Sequence, residues 1–263
     1  MTSEVQLLLG VVTAVGATWG AWRAGALARS GAWAAIVVGT LIFGLGGWRW
    51  ACLLLLFFFS SSGLSRLAAA RKRALGEKFA KGSRRDWAQV LANGGLAAAL
   101  ASWHAWHPHA AWAWPAFAGA LAAVNADTWS TEIGVLSHRP PRHIFTRKVV
   151  PRGTSGGVSL LGFAAALGGA LLIGWCSGMH TLDWRTLWAV AVGGFGGALL
   201  DSVLGATVQA VYFCPRCEKE TEHTPHHTCG APTHHLRGWL WVNNDVVNFL
   251  ASVAGALVAA LLV

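Results

Sequence analysis

The sequence predicts an all-α fold, a polytopic transmembrane helical bundle of about eight spans with one small insert. Of its 263 residues, 54% are hydrophobic and only 12% are charged, against about 25% charged residues in a typical soluble domain. Several of the 16 Trp residues lie at the edges of apolar runs, where aromatic side chains favour the membrane interface. The 32 Gly residues suit close packing of helices in lipid. This composition argues against a soluble helical bundle.

Hydrophobic segments fill most of the chain and are interpreted as the spans. A basic segment at 66–85, a polar loop at 125–157 and a Cys- and His-rich insert at 213–238 separate them. We expect residues 1–263 to form a single transmembrane domain. Glu4 precedes the first apolar run without basic neighbours, so we expect a retained span and no cleaved signal peptide. The predicted spans are 5–22, 32–47, 50–63, 87–103, 111–124, 158–175, 187–212 and 244–263.

The basic residues predict the orientation of these spans. With this arrangement, every Lys and Arg except Arg49 and Arg185 falls on one side of the membrane. Basic loops remain in the cytoplasm, so we expect a multi-pass protein of the inner (plasma) membrane with large basic cytoplasmic loops. The net charge of +9 then reflects topology, and no nucleic-acid partner is expected.

Four acidic residues lie in or against apolar segments: Asp127, Glu132, Asp201 and Asp245. An ionisable group inside a membrane helix costs about 3 kcal/mol, so each acid requires compensation. The predicted topology brings all four to the cytoplasmic face, which indicates one shared site. Carboxylates surrounded by amides and hydroxyls suit a hard cation such as Mg²⁺ with bound phosphate.

Short polar clusters surround these acids. On a helix, Asn125, Thr128 and Glu132 share one face, while Asp127 lies on a neighbouring row. Asp201 and the residue eight positions later, Gln209, follow one stripe of the seventh span. The alternative interpretation is that these groups cap helix ends or make structural hydrogen bonds. The polar clusters around Asp201 and Asp245 also contain Ser202, Asn244 and Asn248.

A glycine-rich turn precedes the sixth span and is a candidate anion site. Free backbone N–H groups at a helix N-terminus bind phosphate readily. The turn lacks the Gly-Lys-Thr of a Walker loop, and an ordinary glycine-rich turn remains an alternative. The candidate residues are Arg152, Gly153, Thr154, Gly156 and Gly157.

The insert contains two pairs of candidate metal ligands. Cys214 and Cys217 form one pair, and His226 and Cys229 fit the same two-residue gap. Such pairs are typical of zinc-ribbon knuckles, and a closed Cys₃His shell indicates a structural site for Zn²⁺. Disulfides are less favoured in a cytoplasmic loop. Three other histidines remain alternative fourth ligands: His223, His227 and His234.

The ordered set of polar motifs resembles a known membrane family, the domain of unknown function ninety-two. That family includes the transmembrane protein nineteen group of animals and the phytyl-phosphate kinase of the vitamin E pathway. The resemblance covers nearly the whole chain, with one departure: Ser155 stands where the family's Gly-Thr-Asn-Gly-Gly pattern has Asn. The motifs are Asn125-Ala126-Asp127-Thr128 with Glu132-Ile133-Gly134, Gly153-Thr154 with Gly156-Gly157-Val158-Ser159, Asp201-Ser202 with Leu204-Gly205-Ala206 and Gln209, and Asn243-Asn244-Asp245 with Val247-Asn248.

The resemblance implies phosphoryl transfer from a nucleoside triphosphate, with CTP favoured, to a phytyl or other prenyl monophosphate at the cytoplasmic face of the bilayer. It implies that the four acids hold Mg²⁺, that Arg152 and the glycine turn bind phosphate, and that Asn125, Asn244, Asn248 and Gln209 position oxygens. The insert resembles that of bacterial members and is not expected to take part in the chemistry. Two other interpretations remain: a transporter or ion-coupled carrier, and a non-catalytic lipid-binding or assembly protein.

Overall fold

The computed structural model describes residues 3–73 and 84–263. Residues 74–83, in the middle of the predicted basic segment 66–85, lie outside the described residues. Within the described ranges the chain forms eight α-helices, and a short π-helical turn, Ile42–Gly46, extends the second one. The helices are α1 Ser3–Arg23, α2 Arg29–Leu41, α3 Trp48–Arg73, α4 Trp87–Trp106, α5 Ala113–Gly134, α6 Leu160–Thr181, α7 Trp184–Thr207 and α8 Asn244–Leu262.

Short strands occupy the two longest connections. One pair, β1 Arg142–His143 and β2 Gly157–Val158, is antiparallel and closes the loop between α5 and α6. The insert between α7 and α8 contains a three-stranded antiparallel sheet with the order β4-β3-β5. Its strands are β3 Val211–Cys214, β4 Lys219–Thr221 and β5 His234–Arg237.

Six of the described helical segments are long and apolar enough to cross a membrane, and α4 and α5 are not among them. Helix α5 is less apolar because its second half carries the predicted acidic cluster. Every residue from 115 to 126 is nevertheless buried, since α5 packs against α3, α4, α6, α7 and α8. The six segments are Glu4–Arg23, Arg29–Gly46, Trp48–Leu67, Leu160–Thr181, Trp184–Thr207 and Asn244–Leu262.

Close helix contacts hold α5 at the centre of the bundle. A methyl group added at Gly255 of α8 would lie 2.5 Å from the carbonyl oxygen of Gly119 in α5. The same glycine approaches α7, because a methyl group at Gly193 would lie 2.6 Å from the Gly255 oxygen. Small residues therefore allow three helix backbones to come together, as is common in membrane bundles.

The odd-numbered helices end, and the even-numbered helices begin, at one end of the bundle, which we call the site end. Backbone hydrogen bonds connect its loops there. The Arg85 N–H donates to Ala26 O at 3.0 Å, and the Ala28 N–H donates to Arg85 O at 2.9 Å. At the same end, the Ala210 N–H after α7 donates to Val242 O before α8 at 2.8 Å. Residues from distant parts of the sequence therefore meet at this end.

Two boundaries of the predicted spans were wrong in ways that affect the site. The polar residues expected to begin a loop at 125 instead form the last turns of α5, because neighbouring helices enclose them. The seventh span does not continue to 212 but ends at Thr207, because Val211 and Tyr212 pair with β5.

Candidate functional site

The centre of the site is a pair of acidic side chains, Asp127 on α5 and Asp201 on α7. These two helices run parallel, with Gly194 and Gly197 of α7 packed against alanines of α5. One turn further along, the carboxyl groups of Asp127 and Asp201 come into hydrogen-bonding contact. Oδ2 of Asp201 is buried and has no hydrogen-bond partner among the described residues. This pair of acids therefore offers oxygen atoms that can coordinate a cation, and the cation would neutralise their negative charge.

A third carboxylate, Glu222, reaches this pair from the insert. The Gln209 side chain donates to Glu222 Oε1 at 2.7 Å, and the Ser155 hydroxyl donates to the same oxygen at 3.2 Å. Glu222 is also close enough to Asp201 to interact with it electrostatically. No sequence motif marks Glu222, because its position depends on the insert folding back onto the end of α7.

The start of α8 lies at the same level of the bundle as Asp201. Helices α7 and α8 are antiparallel, and a methyl group at Gly197 would lie 2.7 Å from Ala251 O. One turn closer to the site end, this register brings Asp245 and Asn248 level with Asp201. Asp245, Asn248 and Asn244 are all half-buried. The helix cap itself is Asn243, whose side chain accepts from the Val246 N–H at 3.1 Å, so these three residues are not needed for capping.

Glu132 does not join the Asp127–Asp201 pair but faces α3. Glu132 lies five positions after Asp127, which corresponds to a rotation of about 140° around the helix axis. The Ser65 hydroxyl of α3 donates to Glu132 Oε1 at 2.6 Å, and the glutamate is only 6% exposed. The expected set of four clustered carboxylates is thus divided between two faces of α5.

Asn125 is a buried connector between three helices. Its Nδ2 donates to Gly169 O of α6 at 2.9 Å, and its Oδ1 accepts from the Ser60 hydroxyl of α3 at 3.0 Å. Thr128, one turn later, donates its hydroxyl to Val124 O at 2.8 Å. Within the described contacts, these two side chains therefore stabilise the helices.

Arg85 completes the group of polar residues between α3 and α5. Its guanidinium donates to the Ser61 hydroxyl at 2.8 Å and to the Ser62 hydroxyl at 3.4 Å. Burial lowers the pKa of Arg85 to about 10, and the nearby Glu132 carboxylate opposes this shift, so Arg85 remains charged at neutral pH. The sequence signal for this group is the set of serines at 60–62 and 65, which directly precedes the basic segment.

The glycine turn packs against the end of α7. Gly153 and Gly156 both have φ of 79°, which disfavours residues with a side chain, and a methyl group at Gly156 would overlap Ala206. The Thr154 N–H donates to Pro151 O at 3.2 Å, and the Gly157 N–H donates to Thr154 O at 2.9 Å. These two amides therefore stabilise the turn itself.

Two other predicted binding residues also make internal contacts. Arg152 donates to Ser137 O at 2.6 Å and to His138 O at 3.2 Å, which ties the loop to the residues after α5. Ser202 donates to Ala198 O within α7 at 3.3 Å. In this conformation the Arg152 and Ser202 side chains stabilise the backbone at the edge of the site.

The insert brings together three cysteines and one histidine. The donor atoms of Cys214, Cys217, His227 and Cys229 all lie within 4.8 Å of one another. Cys214 Sγ lies 3.6 Å from Cys229 Sγ, and His227 Nδ1 lies 3.3 Å from Cys229 Sγ and 3.6 Å from Cys217 Sγ. A tetrahedral zinc site requires donor separations of about 3.5–3.8 Å. These residues can hold a metal ion, and the set is compatible with zinc.

The thiols of this cluster differ in acidity. A hydrogen bond to Cys229, together with shielding from water, raises the pKa of Cys217 to about 11. A hydrogen bond from the Ala231 backbone lowers the pKa of Cys229. Cys229 is therefore the more readily ionised of these two.

The expectation that His226 completes the cluster was wrong, and His227 takes that place. His226 is exposed and its backbone pairs with Pro232, whereas His227 is 3% exposed. Neighbouring residues in extended backbone point to opposite sides, so only one of these two histidines can face the cysteines. The turn through Gly230, whose N–H donates to His227 O at 2.8 Å, places His227 beside Cys229.

The fold and site together define an integral membrane protein with a helical bundle, an acidic site at one end and a Cys/His cluster in the adjoining insert. The chain belongs to the integral membrane protein family DUF92, whose family model matches residues 12–256. This confirms the family resemblance of the polar motifs.

Similar proteins occur in a plant, an archaeon and a cyanobacterium. The chain is 33% identical over 236 residues to Protein PGR of Arabidopsis thaliana, covering 80% of this chain and 82% of that protein. It is 28% identical over 226 residues to an uncharacterised membrane protein of Methanocaldococcus jannaschii, covering 86% and 81%. It is also 28% identical over 231 residues to an uncharacterised membrane protein of Synechocystis, covering 85% and 77%. No solved structure matches the chain.

Proposed function

We propose that this protein is a Mg²⁺-dependent prenyl-phosphate kinase-like phosphotransferase. It moves a phosphoryl group from a nucleoside triphosphate, with CTP favoured, to a phytyl or other prenyl monophosphate. The observation that carries the proposal is the contact between the Asp127 and Asp201 carboxyl groups near one end of the helical bundle.

Two carboxylates in contact within a helical bundle repel each other and lose hydration, so they require a cation or a shared proton. Carboxylate oxygens are ligands that Mg²⁺ accepts, usually alongside substrate phosphates and water. The buried Oδ2 of Asp201 fits such a role, because no described residue donates to it. Asp127 and Asp201 would hold the ion, with Asp245 and Glu222 as further candidate ligands. Bound there, Mg²⁺ would neutralise the charge that develops on the transferred phosphoryl group.

The reaction requires little covalent chemistry from the protein. An oxygen of the acceptor monophosphate attacks the γ-phosphorus, the bond from that phosphorus to the β,γ-bridging oxygen breaks, and the nucleoside diphosphate leaves with the bonding electrons. The acceptor is already an anion, so no general base is needed. Asn244, Asn248 and Gln209 would orient phosphate oxygens, and the glycine turn with Arg152 would bind phosphate after a local rearrangement.

The position of the acids favours an enzyme over a carrier. Asp201 lies six residues before the end of α7, which is about 9 Å along the helix axis. Asp127 lies at a similar depth in α5, seven residues before its end. A carrier requires polar groups near the middle of the membrane with access from both sides, whereas a kinase needs only a lipid tail between helices and a phosphate at one face.

The same proposal includes the arrangement in the membrane. All eight helices cross the bilayer, the site end faces the cytoplasm, and the protein resides in the inner (plasma) membrane as a single transmembrane domain. The insert at 213–238 binds Zn²⁺ through Cys214, Cys217, His227 and Cys229. The closed Cys₃His shell is structural, and it holds Glu222 against the end of α7.

The activity is tested directly with purified protein in detergent. The protein is incubated with Mg²⁺, labelled CTP or ATP, and geranyl, farnesyl, geranylgeranyl or phytyl monophosphate. We expect a labelled prenyl diphosphate. The proposal is abandoned if no acceptor is phosphorylated with either nucleotide.

Matched variants connect the activity to the acidic pair. Asp127→Asn keeps the shape of the side chain and should abolish turnover with zinc content and elution volume unchanged. Asp183→Asn is the control: Asp183 caps α7 at the opposite end, accepting from the Arg185 and Thr186 N–H groups at 3.0 and 3.1 Å. Asn also caps helices, so this variant should retain full activity. Full activity of Asp127→Asn would remove Asp127 from the metal site.

A further inference from the structure

A cavity of about 170 Å³ lies at the site end, between α3, the turn from α1 to α2, and the residues that precede α4. One water molecule occupies about 30 Å³ in the liquid, so a phosphate group with some water fits this space. The cavity is lined by Ala24, Gly25, Ala26, Ser62, Ser65, Arg66 and Arg85.

Two guanidinium groups form the polar wall of this cavity. Arg66 uses one N–H to hold Ala24 O at 3.0 Å, and Arg85 donates to the Ser61 and Ser62 hydroxyls. A guanidinium carries five N–H donors in a planar fork, so both groups retain further donors. Arg66 is exposed, which leaves the cavity open to the surface beside it.

The charges around the cavity favour an anion. Among the described residues that line the cavity, Arg66 and Arg85 carry positive charge and none carries a carboxylate. The Glu132 carboxylate lies behind this lining, where it accepts from the Ser65 hydroxyl at 2.6 Å. Glu132 on α5 also interacts electrostatically with Arg85, which lies just before α4.

We infer that this cavity is a binding site for a phosphate group, separate from the Asp127–Asp201 pair. Guanidinium groups recognise phosphate through paired, charge-assisted hydrogen bonds, and Ser62 adds a hydroxyl at the wall. The phosphate belongs to a soluble phosphate compound or to the head group of an anionic phospholipid, because the cavity is at the end of the helical bundle.

The inference does not depend on the proposed kinase activity. The cavity lies on the α3 side of α5, whereas Asp127 faces α7. Binding there requires neither Mg²⁺ nor turnover. An inactive protein can therefore still bind phosphate, and an active one can still fail to bind it here.

Binding is measured by isothermal titration calorimetry on the purified full-length protein in non-ionic detergent with EDTA. One arm uses inorganic phosphate and pyrophosphate, and the second uses mixed micelles containing phosphatidic acid. We expect saturable binding in at least one arm, and the arm identifies the source of the phosphate. Sodium chloride at equal ionic strength controls for screening.

Three variants locate the binding. Arg66→Gln should weaken it at least tenfold. Ser62→Leu fills the cavity but keeps both guanidiniums, and it should have an effect of the same size. Arg84→Gln removes an exposed arginine that does not line the cavity and should change affinity less than twofold. The inference is overturned if neither arm binds, or if Arg84→Gln weakens binding as much as Arg66→Gln does.

Discussion

The carboxyl groups of Asp127 and Asp201 contact each other across the interface between α5 and α7. Like charges in contact destabilise a fold unless a cation or a shared proton compensates them. If Mg²⁺ compensates this pair, as we propose, the stability of the protein should depend on Mg²⁺, and single substitutions can test that dependence.

Asp201→Asn should raise thermal stability in EDTA, because it removes the repulsion between the two acids. Mg²⁺ should raise the Tm of the wild-type protein by several degrees, since about 1 kcal/mol corresponds to about 2–4 °C for a chain of this size. The Tm of Asp201→Asn should rise much less on addition of Mg²⁺. Thermal unfolding in detergent, with Mg²⁺ and with EDTA, measures both effects. An equal Mg²⁺ response in the two proteins would show that the pair does not bind the ion.

Glu222→Gln should weaken the Mg²⁺ response without loss of zinc, because Glu222 lies near Asp201 and accepts from Gln209 and Ser155. We expect at least a tenfold higher Mg²⁺ concentration for half-maximal stabilisation. Glu218→Gln is the matched control, since Glu218 is exposed in the same insert. The same response in both variants would exclude Glu222 from the acidic site.

His227→Ala should lose the bound metal, whereas His226→Ala should retain it. Of these two histidines, His227 lies beside the three cysteines, and a structural zinc site loses affinity when one of its four ligands is removed. Metal analysis of the purified proteins should give about one zinc per chain for the wild type and for His226→Ala. Retention of zinc by His227→Ala would mean that another group supplies the fourth ligand.

Gly255→Ala should destabilise the bundle by about 1–3 kcal/mol, because the added methyl group meets the backbone of Gly119 at 2.5 Å. Gly196→Ala is its control, since a methyl group there meets no atom within 4 Å. That second change should be neutral or slightly stabilising, because alanine favours a helix. Thermal unfolding of both variants measures the two changes in stability. Equal Tm values would argue against the close approach of α5 and α8.

Asp86→Ala should lower stability by about 1 kcal/mol, since Asp86 caps α4 and forms a capping box with Gln89. The Gln89 N–H donates to its carboxylate at 2.9 Å. Asp86→Asn retains an acceptor and should behave like the wild type. A Tm of Asp86→Ala equal to that of Asp86→Asn would show that this cap does not contribute.

The helical part of the fold could be predicted from the sequence because hydrophobic runs fix helices locally. The polar clusters were also visible, since acids beside apolar runs are costly and therefore conspicuous. Helical spacing also predicted that Asn125, Thr128 and Glu132 share one face of a helix, and all three lie on one face of α5 in the structure. The prediction failed in placing Glu132 with Asp127, because one helix can present acids to two different neighbours.

By itself, the sequence determined the membrane class, the family, the candidate metal ligands and most of the residues that could form an acidic site. The tertiary structure alone decided which of them meet. It paired Asp127 with Asp201, brought Glu222 to them from the insert, selected His227 over His226, and enclosed a cavity beside Arg66 and Arg85. The physical reason is that hydrophobicity and helical periodicity act over a few residues, whereas contacts across helices depend on close packing between segments far apart in the chain.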